Sequence, residues 1–182
     1  MIIGVFIYKN ISFKTHNFNL ENLPKIEVGD LIFRHGNTMD SVIISKKSGF
    51  KYSHLGVIVS TNPVLIIHAT PSEKYDDKIT IITLDEFLNE ATDFGLARVK
   101  FIDDTNREFF INDLKKSLGK KFILRKKEDE NLYCTTFITN SLSKIAKFEP
   151  KYQNVEFMLI GGEYLFPSAI WLDENIEILY EN

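Results

Sequence analysis

His54-Leu55-Gly56-Val57-Ile58-Val59-Ser60 and Val64-Leu65-Ile66-Ile67-His68-Ala69-Thr70 are two runs rich in β-branched residues, separated only by Thr61-Asn62-Pro63. β-branched side chains suit a pleated surface, and the Asn-Pro pair breaks it, so the segment predicts an antiparallel hairpin. The two histidines flank the turn at comparable distance. If paired residue numbers sum to 122, His54 lies opposite His68; if they sum to 124, the two are diagonal neighbours on one face. An odd sum sends them to opposite faces, because one residue of slip flips every side chain. Two imidazoles among Val and Ile need a reason to be there, and the even register supplies one: it lets them meet.

The flanking sequence extends this sheet. Val28-Gly29-Asp30 reads as a turn and Leu31-Ile32-Phe33-Arg34 as a short buried strand. Thr38 to Lys47 reads as a helix, with Thr38 as N-cap and Gly49 as its stop. Ile79 to Thr83 is a further strand, and Leu84 to Leu88 opens a helix with Asp85 and Glu86 in its first turn. Leu96 to Ile102 alternates as a strand, and Asn106 to Leu118 is an amphipathic helix closed by Gly119. A mixed tail carries Gly161-Gly162 and Pro167 and ends in the strand-like Ile176-Glu177-Ile178-Leu179-Tyr180. Upstream, Ile2 to Tyr8 is a strand or apolar arm and Lys9 to Lys25 a polar loop. The sum is an α+β fold, mostly antiparallel sheet packed against helices. At 182 residues it makes one domain over 1–182, with 1–22 as an N-terminal arm or loop.

The single cysteine stands in Leu132-Tyr133-Cys134-Thr135-Thr136-Phe137-Ile138. Phe137, Ile138, Leu142, Ile145 and Ala146 then recur at helical spacing, which places Cys134 in a first helical turn. Free N–H groups and the helix dipole there favour a thiolate. A lone cysteine is otherwise a small buried apolar residue. The two histidines change the weighing. A thiol, two imidazoles and a helix start are the parts of a cysteine hydrolase. One histidine takes the proton of Cys134, and a second polar group orients that histidine. Backbone N–H groups stabilise the oxyanion.

Asp30, Ser53 and Tyr133 are the further candidates for substrate-binding or structural roles. Asp30 fits turn chemistry, and Tyr133 either lines the cleft or packs the helix. His16 and His35 fall in or near polar loops and are expected to be solvated. The four histidines and the cysteine lack zinc-site spacing, so neither a metal nor another cofactor is expected.

A net charge of −3 gives no sign of nucleic acid as a partner. Lys120, Lys121 and Arg125 to Lys127 are followed at once by Glu128, Asp129 and Glu130, as on a solvated surface. One cysteine excludes an internal disulfide. No apolar run approaches transmembrane length. Met1 to Tyr8 lacks the basic start and cleavage site of a secretory signal, so the expected compartment is the cytoplasm, or the periplasm or exterior if a signal has been truncated. The oligomeric state is left open.

Three motifs in order resemble the circularly permuted NlpC-type, papain-like cysteine hydrolases of the YiiX and YebB kind, with lecithin retinol acyltransferase as more distant kin. They are Val28-Gly29-Asp30-Leu31-Ile32-Phe33-Arg34, Tyr52-Ser53-His54-Leu55-Gly56-Val57, and Gly119-Lys120-Lys121-Phe122 with Leu132-Tyr133-Cys134. Histidine before cysteine is the mark of the permutation. The resemblance implies a permuted papain-like fold, Cys134 as nucleophile, His54 as general base and His68 as third member of the triad. Thr135-Thr136 stand where relatives often carry Ser-Glu, and Ile123 where they often carry Asp. The implied reaction cleaves an amide or ester bond through an acyl-enzyme. Peptides, cell-wall fragments and lipid acyl groups are the candidate substrates. A lipid acyltransferase or thioesterase on the same triad, or a silent binding module, are the alternatives.

Overall fold

β1 (Leu31–Gly36) is the inner strand on which the site is built, and the chain folds outward on both sides of it. The computed structural model describes Phe18 and residues 20–71, 76–157 and 160–182. The arm Ile2 to Tyr8, most of the loop Lys9 to Lys25, and His16 lie outside the described residues.

The elements that follow β1 are α1 (Met39–Ser48), β2 (His54–Thr61), β3 (Val64–Ala69), β4 (Ile79–Thr83) and α2 (Leu84–Asn89). Next come β5 (Ala91–Val99), α3 (Arg107–Lys115) and α4 (Cys134–Leu142). β6 (Gln153–Phe157), β7 (Ile160–Tyr164), α5 (Pro167–Trp171) and β8 (Ile176–Glu181) complete the chain. Six strands form one antiparallel sheet in the order β4-β3-β2-β1-β5-β8, while β6 and β7 pair separately. The α+β architecture read from the sequence is the one observed.

Side chains alternate across the sheet with period two, and each face has its own core. Leu31, Phe33, Leu55, Val57 and Ile67 pack with Phe110 of α3, Phe137 and Ile138 of α4 and Trp171 of α5. Ile32, Ile58, Ile66, Phe94 and Leu96 pack on the other face with Phe87 and Leu88 of α2.

The hairpin has the even register. Val57 pairs with Ile67 and Ile58 with Ile66, so partner numbers sum to 124 in its inner half. A bulge between Ile58 and Ser60 shifts the tip by one residue. His54 and His68 therefore lie diagonally on the face of Ile58 and Ile66. Gly56 stands between His54 and Ile58 on that face. A Cβ there would come 2.5 Å from Ile66 Cγ2 and 3.2 Å from His68 Cβ, so only glycine leaves the slot that the His68 ring crosses.

Local signals behave as read for α1, whose N-cap is Thr38 and whose C-cap Gly49 is left-handed at φ 63°. Thr83 and Glu86 close a capping box at α2. Several boundaries differ from expectation, among them the ends of α3 at Lys115 rather than Leu118 and of β5 at Val99 rather than Ile102. β5 starts at Ala91, not Leu96, because Ala91 to Gly95 continue the pairing with β1. α4 ends at Leu142, where the Ser143 hydroxyl donates to Phe148 O and turns the chain. The mixed tail holds a hairpin and the short helix α5, which starts on Pro167.

Candidate active site

α4 begins at Cys134. The Tyr133 N–H donates to the Thr136 hydroxyl at 3.0 Å, which satisfies the backbone at the helix entry. Tyr133 does not cap the helix with its side chain. Its hydroxyl accepts from Leu165 N–H at 2.8 Å, and the Thr135 hydroxyl donates to Leu165 O at 2.6 Å. The residues on either side of Cys134 thus hold both backbone groups of Leu165, which fixes the Leu165-Phe166-Pro167 segment beside the thiol. Thr135 and Thr136, the departures noted in the sequence, are buried parts of this clamp and cap.

The ladder between β2 and β3 runs from Thr61↔Val64 back to Val57↔Ile67, so His54 and Leu55 lie beyond its end. The backbone N–H groups of Leu55, Thr135 and Cys134 itself act on the Cys134 thiol to favour its charged form. On the adjacent position His54 Nε2 lies 2.9 Å from His68 Nδ1. His68 Nε2 is buried without a protein partner. Phe87 of α2 forms the floor under both rings, with His54 stacked and His68 edge-on at 5.8 Å.

A residue not singled out in the sequence completes the group. Arg34 pairs with His54 across β1 and β2, is only 4% exposed, and lies 4.6 Å over the Phe87 ring. Its Nη1 donates to Phe87 O and its Nη2 to Glu90 Oε2, both at 2.6 Å, while Nε has no partner. The signal was present: Arg34 shares strand parity with Ile32, so a charge sits at a core-facing position.

Burial dominates the electrostatics. It pushes the Cys134 thiol up to about 11, against the downward pull of the Leu55 and Thr135 N–H groups and the Arg34 charge. It holds His54 well below the ordinary imidazole range, with Arg34 and His68 acting in the same direction. It brings His68 down to about 3, with Arg34 adding to the effect and Glu86 opposing it. Burial thus disfavours the charged form of all three groups and outweighs the helix-start effect expected to favour a thiolate.

Cys134 and His54 open on one cavity of about 440 Å³. Its lining mixes polar side chains, among them Arg34, Ser53 and Glu90, with apolar ones, among them Ile43, Ile44, Phe122, Leu124, Val155 and Phe166. Tyr133 lines it, and the Ser53 hydroxyl accepts from Gly36 N–H at 3.1 Å. Asp30 lies at the opposite end of β1 and is structural. Arg98 donates to both its oxygens, at 2.7 and 2.8 Å. His35 differs from its expected solvated state: its Nδ1 lies 2.7 Å from Lys51 O, and the ring is half-buried. Among the described residues no group of three His, Cys, Asp or Glu side chains could hold a metal ion. No described helix is long and apolar enough to cross a membrane.

Residues 25–162 match the family described as permuted papain-like amidase enzymes, YaeF/YiiX, C92 family. The fold is similar to the crystal structure of the metalloprotein YiiX from Escherichia coli O157:H7, with a TM-score of 0.71 at 15% identity. That similarity covers 86% of this chain and 97% of the other. No curated protein matches the sequence.

Proposed function

This chain belongs to the permuted papain-like amidase family, and from that premise we propose that it releases an apolar acyl group from an amide, with Cys134 as nucleophile, His54 as general base and His68 as the residue that orients His54. The observation that carries the proposal is the shared cavity: Cys134 and His54 line the same space, and much of the rest of its lining is aliphatic and aromatic.

The chemistry follows from the resting charges. With His54 donating Nε2–H to His68 Nδ1, its own Nδ1 keeps a lone pair for the Cys134 proton. The thiol is neutral before attack, so its proton passes to His54 as sulfur bonds to the acyl carbon. The negative charge develops on the carbonyl oxygen, and the N–H groups of Leu55 and Thr135, which act on the neighbouring sulfur, are the donors proposed to stabilise it. The imidazolium returns the proton to the leaving nitrogen as the C–N bond breaks. Water, deprotonated by His54, then cleaves the thioester and releases the acid.

The test is intact mass after incubation with N-acyl amides of increasing chain length. The expected result is an acyl adduct on the single cysteine that is absent in Cys134→Ala, with turnover rising with chain length. Faster turnover of a short polar peptide amide would overturn the substrate class. An absence of both adduct and turnover would leave a silent binding module.

A further inference from the structure

We propose that Tyr133 and Thr135 are positioning residues for substrate choice: by gripping Leu165 they set Phe166 as the surface against which the acyl chain packs. This deepens the reading of the cavity as an acyl site and rests on it.

The grip is made from both sides of the nucleophile. The Tyr133 hydroxyl accepts from Leu165 N–H at 2.8 Å, and the Thr135 hydroxyl donates to Leu165 O at 2.6 Å. Leu165 is 1% exposed, and the ladder of β7 with β6 ends one residue before it, at Tyr164. Its backbone groups therefore have no strand partner, yet a buried N–H and C=O must be satisfied. The chain meets this need with the side chains that flank Cys134, so the position of the tail is tied to that of the nucleophile. Packing alone would not call for them. Thr135 is fully buried, and a valine of the same shape would fill its place without a polar atom to satisfy. Burial raises the Tyr133 hydroxyl above its ordinary range, which suits a holding role and not proton transfer.

The grip reaches Phe166 because little freedom remains beyond Leu165. Pro167 opens α5, and the residue before a proline is confined to extended backbone; Phe166 has φ −93° and ψ 158°. With Leu165 fixed on one side and Pro167 on the other, the Phe166 ring keeps only its own side-chain torsions. That ring is 9% exposed and lines the cavity with Cys134. The lining from the tail is an unbroken run, Tyr164 to Pro167.

The polar lining residues belong to a different set of contacts. Arg34 bonds Glu90 and pairs with His54, and Ser53 accepts from Gly36 N–H. His54 gives its proton to the departing nitrogen in the proposed reaction. The leaving group is therefore assigned to the set that holds His54, and the acyl chain to the tail gripped by Tyr133 and Thr135.

The experiment measures the affinity of N-acyl amides, from acetyl to dodecanoyl, for the Cys134→Ala protein by titration calorimetry. It also measures kcat and KM for the same series with Cys134 in place. The variants, made in both backgrounds, are Tyr133→Phe, Thr135→Val and Thr135→Ser, all of which retain the residue 135 N–H. Affinity in the parent is expected to rise with chain length. Tyr133→Phe and Thr135→Val are each expected to lower the ratio of dodecanoyl to acetyl affinity by about three- to tenfold, the cost of ordering a side chain that is no longer held. With Cys134 in place the same loss is expected in the KM of the long amides. Thr135→Ser keeps the hydroxyl and is expected to keep the ratio. An unchanged ratio in folded Tyr133→Phe and Thr135→Val overturns the proposal. So does an equal loss at every chain length, which would mean that the grip only supports the nucleophile. A parent whose affinity does not rise with chain length, or a Thr135→Ser protein that loses as much as Thr135→Val, overturns it as well. Tyr133→Phe removes a single oxygen atom and decides alone if Thr135→Val does not fold. Absence of turnover and of any acyl adduct removes the nucleophile, while the binding series on Cys134→Ala still decides the role of the grip.

Discussion

The two ends of β1 treat a buried charge in opposite ways. At the start of the strand Asp30, 2% exposed, has both oxygens occupied by Arg98, and one of them also accepts from Glu27 N–H at 2.7 Å. Four residues later Arg34 is equally buried but keeps an unpartnered Nε, and His68 beside it keeps an unpartnered Nε2. Buried polar groups are nearly always satisfied, so the exceptions need a reason. Here the satisfied end anchors a turn and the unsatisfied end faces a cavity.

Two substitutions break that contrast most directly. His54→Ala is expected to lower turnover of an N-acyl amide by about 10²–10⁴-fold while leaving the urea midpoint nearly unchanged. Asp30→Ala is expected to do the reverse. It breaks a buried ion pair at a loss of about 3 kcal/mol of unfolding free energy, with kcat of the folded fraction intact. Steady-state kinetics and urea denaturation on the two variants check both halves. A loss of kcat in Asp30→Ala comparable with that in His54→Ala would erase the distinction between the two ends.

What the sequence made legible follows the same division. Features set by local rules were readable: the Thr38 and Gly49 caps of α1, the hairpin, and the parity that brings His54 and His68 to one face. Parity is robust because a slip of one residue would move the whole hydrophobic set. Arg34 was not read as part of the site. Its strand position shows that it points with Ile32, but not that Phe87 from α2, more than fifty residues away, covers it. The resting charge of Cys134 was misjudged for the same reason. A helix start is visible in sequence, whereas burial among Leu55, Leu165 and the rest of the core on that face of the sheet is not. The β6–β7 hairpin that helps to wall the cavity was hidden by the short, glycine-bearing strands of the tail.

A smaller effect sharpens the electrostatic half of the contrast. His68 is held at about 3 and His54 well below its ordinary value, while in the unfolded chain both titrate near 6.5. Between these limits the unfolded state binds more protons, so stability is full above about pH 6.5 and falls as the pH drops through the window. Each histidine contributes up to about 1.4 kcal/mol per pH unit there. His68→Asn is expected to remove its share of the slope in urea midpoints measured from pH 7 to pH 4.5. An unchanged slope would mean that His68 is protonated in the folded protein, and the neutral pair would then be wrong.

The smallest effect tests whether the cap at the helix start governs the Cys134 thiol. Thr136→Val removes the hydroxyl that accepts from Tyr133 N–H, and loss of such a cap costs about 1 kcal/mol, or a few degrees in Tm. Thr136→Ser keeps the oxygen and is expected to keep most of the stability. Neither change touches the N–H groups of Leu55 and Thr135 that act on the thiol, or Arg34, so the alkylation midpoint of Cys134 is expected to stay within a few tenths of a pH unit. If Thr136→Val moved that midpoint by about a pH unit or more, the order of the helix entry would control the thiol. The N–H groups of Leu55 and Thr135 would then be lesser influences on the thiol than the packing of the helix entry.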